Sequence, residues 1–176
     1  TGIRITDNVN QIDVVYNYGA FDFTTPNFMM KFVKGDLQYF VTSENFYDFE
    51  YNYKLDGRSI VSQELNLTTA QKQQLLNELN SSLTSEERFY TYKFIDKNCT
   101  TMVVDKINKI LGEEILKQPK SEQSYREILY PYMSDFYMKL GIQIIFGTKV
   151  DQPATRLFLP LELEKVLETA TLNGQK

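Results

Sequence analysis

The sequence predicts a single α+β domain, residues 1–176, in which a sheet is combined with helices. Three observations support this class. The chain has 176 residues, enough for one sizeable hydrophobic core. Its first half is mostly alternating apolar and polar residues between turn signals, which is typical of strands. Its second half contains apolar residues at helical spacing, most clearly between Asn98 and Gly112.

Strands are predicted where alternating apolar residues are bounded by turn formers. The first two should form a hairpin around the polar stretch 7–10, and later strands follow turn signals at Gly35 and Gly57. Aromatic residues at every second position from Tyr47 to Tyr53 predict one buried face of a further strand. The other predicted strands are Thr1–Ile5, Ile12–Tyr18, Leu37–Val41, Ser59–Leu65, Phe89–Ile95 and Ile142–Phe146.

Helices are predicted from capping residues and apolar stripes. Thr68 and Gln71 have the spacing of a capping box. A second helix should begin at Asn98 or Cys99, because Asn is a favourable N-cap residue, and should stop at Gly112. Proline interrupts helical hydrogen bonding and should kink or split the third helix at position 131. The predicted helices are Thr68–Leu79, 98–111, Tyr125–Leu140 and Leu161–Ala170.

The composition excludes several classes of protein. A net charge of -4 argues against a nucleic-acid partner, because phosphate binding needs clustered Lys and Arg. A single cysteine excludes an internal disulfide but is compatible with export. The sequence contains no run of about 18 apolar residues, so it predicts no membrane-spanning segment. We predict no metal or cofactor. We find no signal peptide and expect the chain to be a piece of a longer protein, trimmed at its N-terminus.

Cys99 is the only cysteine, and the chain contains no histidine. With Asn98 or Asp96 as the N-cap, Cys99 should lie in the first turn of a helix. Unpaired backbone N–H groups and the helix dipole favour a thiolate there and can stabilise an oxyanion. A catalytic thiolate usually needs an imidazole partner. Cys99 is therefore either a nucleophile whose base lies outside this sequence or an inert thiol that packs as a small hydrophobe.

Four segments of the chain together match the motifs of one protein family. They are Y-N-Y-G-A-F-D-F at 16–23, Q-E-L-N-L at 63–67, N-C-T-T at 98–101 and F-L-P at 158–160. With these segments the chain resembles the Lnb N-terminal periplasmic domain family of Bacteroidetes. The resemblance spans nearly the whole chain and implies a periplasmic protein of the cell envelope. The family is grouped with papain-like, NlpC/P60-type thiol enzymes, in a circularly permuted branch. The resemblance therefore implies an antiparallel sheet packed on a helix that begins at Cys99.

The resemblance also implies a reaction. The family's first strand typically carries G-H-T-x-x-R-I, which matches this chain from Thr1 to Ile5, so the histidine would immediately precede Thr1. The family is associated with lipoprotein N-acylation. In that reaction the Cys99 thiolate would attack a phospholipid ester, and the resulting thioester would acylate the N-terminus of a lipoprotein. The implied partners are a phospholipid and a lipoprotein N-terminus, and a membrane surface is a further candidate. The chain as given lacks the base, so we expect it to be inactive.

The group that orients the base is predicted from the hairpin. If Thr1–Ile5 pairs antiparallel with Ile12–Tyr18, the histidine would lie opposite Asn17 or Tyr18, and either could hydrogen-bond the imidazole. Asp22 in the same motif is the alternative. Structural roles remain open for all three. Tyr18 could be a core residue, Asn17 could bond a turn, and Asp22 could satisfy the bend that follows.

Two sets of residues could contact a lipid, and each has a structural alternative. Arg4 could pair with a lipid phosphate or form a structural ion pair. The apolar residues around Pro26 could form an exposed surface for acyl chains or a bilayer interface, or could belong to the core. These residues are Phe21, Phe23, Phe28, Met29, Met30 and Phe32.

Two other functions compete with the acyltransferase hypothesis. A thiol hydrolase, acting as a peptidase or amidase on cell-wall peptides, would use Cys99 in a polar, open cleft. A non-catalytic binding module of the envelope would keep Cys99 as a structural residue, and the absence of histidine supports it. A Cys99 side chain buried in the core would contradict both enzyme hypotheses. A groove continuous with the apolar residues of segment 21–32 would favour a lipid substrate over a peptide.

Overall fold

The computed structural model describes residues 1–119 and 122–171, with the backbone alone at 138, 142 and 143. It is an α+β fold, as the sequence predicts. The four strands of one open antiparallel sheet, in the order β1-β2-β3-β4, are Gly2–Asp7, Ile12–Phe21, Gln38–Asn45 and Phe89–Thr91. The α-helices of the described residues, α1 to α7, are Phe28–Lys34, Phe46–Leu55, Thr69–Thr84, Cys99–Leu111, Tyr125–Leu129, Phe136–Phe146 and Pro160–Thr169.

The hairpin of β1 and β2 forms as predicted. Its turn is closed by Asp7, whose carboxylate accepts the backbone N–H groups of Val9 and Asn10 at 2.9 and 3.1 Å. The register pairs Gly2 with Asn17. Between β2 and β3 the register shifts after Asn17, which produces a β-bulge at the end of β2.

The main core lies between the sheet and the two long helices α3 and α4. Tyr16 and Tyr18 of β2 project from the same side of the sheet toward these helices, because strand side chains alternate. Helix α4 packs directly on β1 and β2, so the expected packing of the sheet on this helix is present. The buried apolar residues of the two helices are Leu75, Leu79, Val103, Val104, Ile107 and Ile110.

The capping signals for α3 and α4 are confirmed. The Thr68 hydroxyl accepts the N–H of Gln71, and the Gln71 side chain accepts the N–H of Thr68 at 2.9 Å, which completes the predicted capping box. Helix α3 continues beyond the predicted end at Leu79. Gly112 ends α4 with φ of 73°, a left-handed conformation that glycine adopts without steric cost.

The predicted strand containing the alternating aromatic residues is wrong, because this segment is helix α2. In a helix, residues four apart share a face. Phe49 and Tyr53 therefore stack with ring centroids 4.4 Å apart, while Tyr47 and Tyr51 point into solvent. Aromatic residues at every second position therefore lie alternately on two sides of helix α2, whereas in a strand they would share one face.

Two further predicted strands are wrong. Segment 59–65 is extended but outside the sheet, and it is bound to α7 through Gln63, whose amide donates to the Glu164 carbonyl at 3.2 Å. Its alternation arises because Gln63, Leu65 and Leu67 face inward. The apolar segment Ile142–Phe146 is the end of α6, since a short apolar run fits a helix as well as a strand.

The remaining differences concern boundaries and one helix without a sequence signal. The predicted strand Phe89–Ile95 stops at Thr91. The predicted helix Tyr125–Leu140 is split around Pro131, as proline should do, into α5, a 3-10 turn and the beginning of α6. Helix α1 was not predicted, because its N-cap makes no side-chain hydrogen bond and the helix has only seven residues. No helix of the described residues is both long and apolar enough to cross a membrane.

Candidate functional site

The chain reaches the candidate site through a tight loop after β4. Lys93 and Lys97 form an isolated antiparallel bridge, in which each backbone N–H donates to the other residue's carbonyl at 2.9 Å. This bridge ends the extended segment and turns the chain directly into Asn98. Asn98 is therefore the N-cap of α4, and Cys99 is the first residue of the helix, as the sequence predicts.

Asn98 is buried and uses both ends of its side chain. Its Oδ1 accepts the N–H groups of Thr100 and Thr101 at 2.8 and 3.0 Å. The Thr101 hydroxyl accepts the N–H of Asn98 at 2.8 Å, which completes a second capping box. The first turn of α4 is thus held by side chains of the N-C-T-T segment itself.

The amide nitrogen of Asn98 connects the helix start to the C-terminal part of the chain. Nδ2 donates to the carbonyls of Phe94 and Phe158 at 2.6 and 2.8 Å. Asn98 thus brings the N-C-T-T and F-L-P segments into contact across 60 residues. Leucine or alanine at this position could make none of these bonds, so local helix capping alone does not account for the residue.

Cys99 is half-buried, with its side chain at the edge of the main core. Its backbone N–H donates to no acceptor in the described part of the chain, whereas the N–H groups of Thr100 and Thr101 are both bonded to Asn98. The sequence predicted several unpaired N–H groups at this helix start, but among the described residues only one of these three N–H groups is unpaired. That N–H belongs to the cysteine itself, and it lies at the positive end of the α4 dipole.

Two other chain segments reach the start of α4. Gly19 lies at the bulge of β2, where an added Cβ atom would be 3.7 Å from Cys99 Cβ and 3.3 Å from Asn17 Oδ1. The hydroxyls of Thr1 and Thr100 are 3.1 Å apart. The N-terminal end of β1 and the bulge of β2 therefore both lie beside the cysteine.

The hairpin register refines the predicted position of a base. Asn17 lies opposite Gly2, so a residue added before Thr1 would fall opposite Gly19 if the pairing continued. Gly19 is just beyond the predicted partners, Asn17 and Tyr18, and an added Cβ there would lie 3.7 Å from Cys99 Cβ.

The three predicted orienting residues occupy different environments. The Asn17 Oδ1 accepts the N–H of Gly19 at 2.9 Å, and an added Gly19 Cβ would touch both this oxygen and Cys99 Cβ. Tyr18 is fully buried with its ring toward α3, and burial raises the pKa of its hydroxyl. Asp22 is exposed and accepts the N–H and the hydroxyl of Thr24, which lower its pKa. The structure therefore places the Asn17 side chain on Gly19 beside the cysteine, the Tyr18 side chain in the core, and the Asp22 carboxylate in the exposed bend.

Three tyrosines near the thiol have no sequence signal. They are Tyr39 on β3, Tyr90 on β4 and Tyr92 just after it. Burial raises the pKa of all three hydroxyls, and the negative charge of a Cys99 thiolate raises each further. The Tyr90 hydroxyl donates to the Tyr18 carbonyl. The hydroxyls of Tyr39 and Tyr92 have no hydrogen-bond partner among the described residues, and their burial disfavours the ionised form.

A series of aromatic rings leads from these tyrosines to the surface. The centroid of Tyr39 is 5.0 Å from that of Phe21, which is 4.7 Å from Phe23 and 5.6 Å from Phe28. Phe23 is 74% exposed. The apolar residues around Pro26 are therefore divided. Phe21, Phe28 and Phe32 pack on Leu37 and Tyr39, whereas Phe23, Met29 and Met30 are exposed.

Arg4 occupies a structural ion pair. Its guanidinium donates to both carboxylate oxygens of Asp13 across the hairpin, at 2.7 Å each, and lies over the ring of Phe46. The hydrogen bonds from Arg4 lower the pKa of Asp13. Among the described residues, no group of three or more His, Cys, Asp or Glu side chains is placed to hold a metal ion.

These features define a class, an α+β domain whose single cysteine opens a helix packed on an antiparallel sheet. Comparison with family models gives the family. The model of the Lnb N-terminal periplasmic domain matches residues 1–130, and the chain belongs to that family. The protein is therefore a periplasmic domain of the Lnb family of the cell envelope, as the resemblance implied. No curated protein and no solved structure matches the chain.

Proposed function

We propose that this domain is a thiol acyltransferase, which moves an acyl chain from a phospholipid to the N-terminal amine of a lipoprotein through a thioester on Cys99. The observation that carries the proposal is the position of Cys99 as the first residue of α4, half-buried and with an N–H that has no acceptor among the described residues. With it we propose a circularly permuted papain-like fold. The packing of the antiparallel sheet on the cysteine helix supports this assignment.

The first half-reaction is acylation of the thiol. A base removes the proton of Cys99, and the thiolate attacks the carbonyl carbon of the phospholipid ester. The free N–H of Cys99 donates to the oxyanion that forms, which stabilises the tetrahedral intermediate. The carbon–sulfur bond remains and the ester carbon–oxygen bond breaks. The protonated base returns its proton to the departing glycerol oxygen, which releases a lysophospholipid.

The second half-reaction is transfer to the amine. The N-terminal amine of the lipoprotein attacks the thioester carbonyl and loses a proton to the base. The carbon–sulfur bond then breaks, an amide is left on the acceptor, and the sulfur regains its proton from the base. The series of packed rings from Tyr39 to Phe23 supports a lipid donor, because it ends in the exposed apolar ring of Phe23, which an acyl chain could contact.

The proposed base is a histidine that directly precedes Thr1 in the complete protein. The contact between the Thr1 and Thr100 hydroxyls supports it, since the residue before Thr1 would then lie close to Cys99. Asn17 is the orienting group that we propose, because its side chain flanks Gly19 on the cysteine side. Tyr18 and Asp22 are second candidates that would need to move.

The test compares two extended chains that differ at one residue. One carries Gly-His directly before Thr1, and the other carries Gly-Ala. Each is incubated with diacyl phospholipid vesicles, and its intact mass is measured. We expect the Gly-His chain to gain one acyl group about 100-fold faster, because general-base catalysis typically contributes 10²–10⁴. Cys99→Ala in the Gly-His chain should abolish the adduct, and hydroxylamine should release it as expected of a thioester.

Each contrary result removes a defined part of the proposal. An adduct that survives Cys99→Ala excludes the nucleophile. Equal rates for the Gly-His and Gly-Ala chains exclude the proposed base. Release of free fatty acid at the same rate with and without an acceptor amine identifies a hydrolase rather than a transferase. A Gly-His chain that binds lipid but forms no adduct is the result expected of a non-catalytic binding module.

A further inference from the structure

Two helices, α1 and α6, present apolar side chains to solvent, and their C-terminal ends line the same pocket. On α1 the exposed residues Met29 and Val33 are four apart, and Met30 lies beside them. On α6 Phe136, Leu140 and Ile144 repeat every four residues and are 70%, 40% and 74% exposed. We call these six residues the α1–α6 surface. Apolar side chains of this size at helical spacing usually face a core, so their exposure indicates an interaction site.

The C-terminal ends of the two helices meet at one cavity of about 190 Å³. Its apolar wall includes Val33 of α1 and Phe146 of α6, which stacks on Phe94 with centroids 4.6 Å apart. Tyr92 lines the same cavity and is also close enough to Cys99 for the thiolate to affect its pKa. Val33 thus connects the α1–α6 surface to this cavity, and the cavity extends to Tyr92, a neighbour of the candidate nucleophile.

The charge of this pocket is opposite to that of the whole chain. Lys34, Lys93 and Lys149 line it together with one acidic residue, Asp96, which gives a formal charge of +2 against -4 for the protein. Asp96 is paired with Lys149, so it is not free to repel an anion. An apolar surface with basic residues at its pocket is complementary to anionic headgroups above an acyl layer.

We propose that the α1–α6 surface docks this domain on a membrane that contains anionic phospholipid. The exposed side chains of both helices enter the interfacial layer, and the lysines of the pocket lie at headgroup level. The proposal deepens the acyltransferase assignment and rests on it for the choice of a membrane as occupant. It names the surface through which the donor lipid approaches Cys99.

The experiment measures partition of the 176-residue chain onto vesicles by flotation. Vesicles of phosphatidylcholine alone are compared with an equimolar mixture of phosphatidylcholine and phosphatidylglycerol. We expect binding to the mixed vesicles, and about tenfold or greater loss in M29E/M30E, because two carboxylates would have to enter the apolar layer. The matched control is L55E/V61E, which makes the same charge change at two apolar residues that are 68% and 64% exposed elsewhere. It should bind as the wild type does.

A second variant separates the apolar contribution from the electrostatic one. Lys34→Gln combined with Lys149→Gln should remove most of the preference for phosphatidylglycerol, and 0.5 M salt should have the same effect on the wild type. An equal loss in L55E/V61E would overturn the proposal, since it would reflect net charge alone. So would a wild-type dimer that M29E/M30E makes monomeric without any vesicle binding, because the occupant would then be a second copy.

The two proposals fail in different ways. Cys99→Ala should bind vesicles as the wild type does, because Cys99 is not part of the α1–α6 surface. Vesicle binding without an acyl adduct in the Gly-His chain would remove the acyltransferase and leave the docking surface. An acyl adduct that M29E/M30E does not slow on phosphatidylglycerol vesicles would remove the docking surface and leave the chemistry.

Discussion

The start of α4 and the α1–α6 surface differ in how far their side chains are buried and bonded. At the start of α4, Asn98 is 4% exposed and its side chain makes four hydrogen bonds. On the α1–α6 surface, Met29 is 67% exposed, and the residues of α1 that pack on the protein are Phe28 and Phe32 instead. The comparison teaches that the first region is built for position and stability, whereas the second contributes little to folding and is available for contact.

The largest expected effect is on Asn98. Asn98→Ala removes the N-cap of α4 and leaves the carbonyls of Phe94 and Phe158 without their donor. A lost cap costs about 1 kcal/mol and each buried unpaired group about 1–3, so we expect a loss of about 3 kcal/mol. Urea unfolding at pH 7 measures it. Asn98→Ser keeps a cap acceptor and should lose about half as much. A loss below 1 kcal/mol for Asn98→Ala would show that this region is not the anchor.

Thr101 supplies the other half of the capping box. Thr101→Val preserves shape but removes the acceptor for the Asn98 N–H, so the free energy of unfolding should fall by about 1 kcal/mol. Thr169→Val is the matched control, because that hydroxyl donates only to carbonyls of its own helix at an exposed position. Its effect on the same urea curve should be near zero. Equal effects of the two substitutions would contradict the importance of the box.

Glu78 on α3 forms ion pairs with α4, which makes the stability of the α4 region depend on pH. Its carboxylate accepts from Lys109 at 2.6 Å and Lys106 at 3.2 Å, and these bonds lower its pKa below the usual value of 4.5. A lowered pKa in the folded state stabilises the protein above pH 4.5, and this stabilisation is lost as pH falls through the folded value.

The corresponding substitution is Glu78→Gln. It should cost about 0.5 kcal/mol at pH 7 and nothing below the folded pKa, so its urea curves should converge with those of the wild type in acid. Lys109→Gln should produce part of the same loss, and the two effects should not add. A difference between wild type and Glu78→Gln that is constant from pH 7 to 3 would contradict the assigned pair.

The smallest expected effect is on the α1–α6 surface. M29E/M30E should change the free energy of unfolding by no more than about 0.5 kcal/mol, because both side chains are already exposed. Thermal unfolding of the variant beside Asn98→Ala measures the contrast directly. A loss of 2 kcal/mol or more in M29E/M30E would mean that these residues are part of a core, and the distinction between the two regions would be wrong.

The parts of the fold that were predictable are those with local chemical signals. Thr68, Asn98 and Gly112 each act on residues within one helical turn, so the start of α3 and both ends of α4 could be placed from sequence. Helix α2 could not, because alternating aromatics match a strand until tertiary contacts decide which of them are covered. Segment 59–65 alternates for a similar reason, since one side of it lies against other elements without joining the sheet.

The candidate site divides in the same way. Cys99 at a helix start follows from Asn98 and the next three residues. The hydrogen bond from the Asn98 amide to Phe158 could not be predicted, because Phe158 is 60 residues away and contributes a backbone carbonyl that any residue carries. The tyrosines 39, 90 and 92 are brought together by strand pairing, which leaves no spacing signal in the sequence.

Cys99 is the only thiol of the chain and is half-buried in the first turn of α4. Any thiol-specific alkylating reagent therefore modifies a single atom, and the protein needs no engineered label. Because the thiol is half-buried rather than enclosed, its alkylation rate in the folded protein measures how accessible the sulfur is at the helix start. Comparison of that rate with the rate in urea-unfolded protein would show how much the fold protects the thiol.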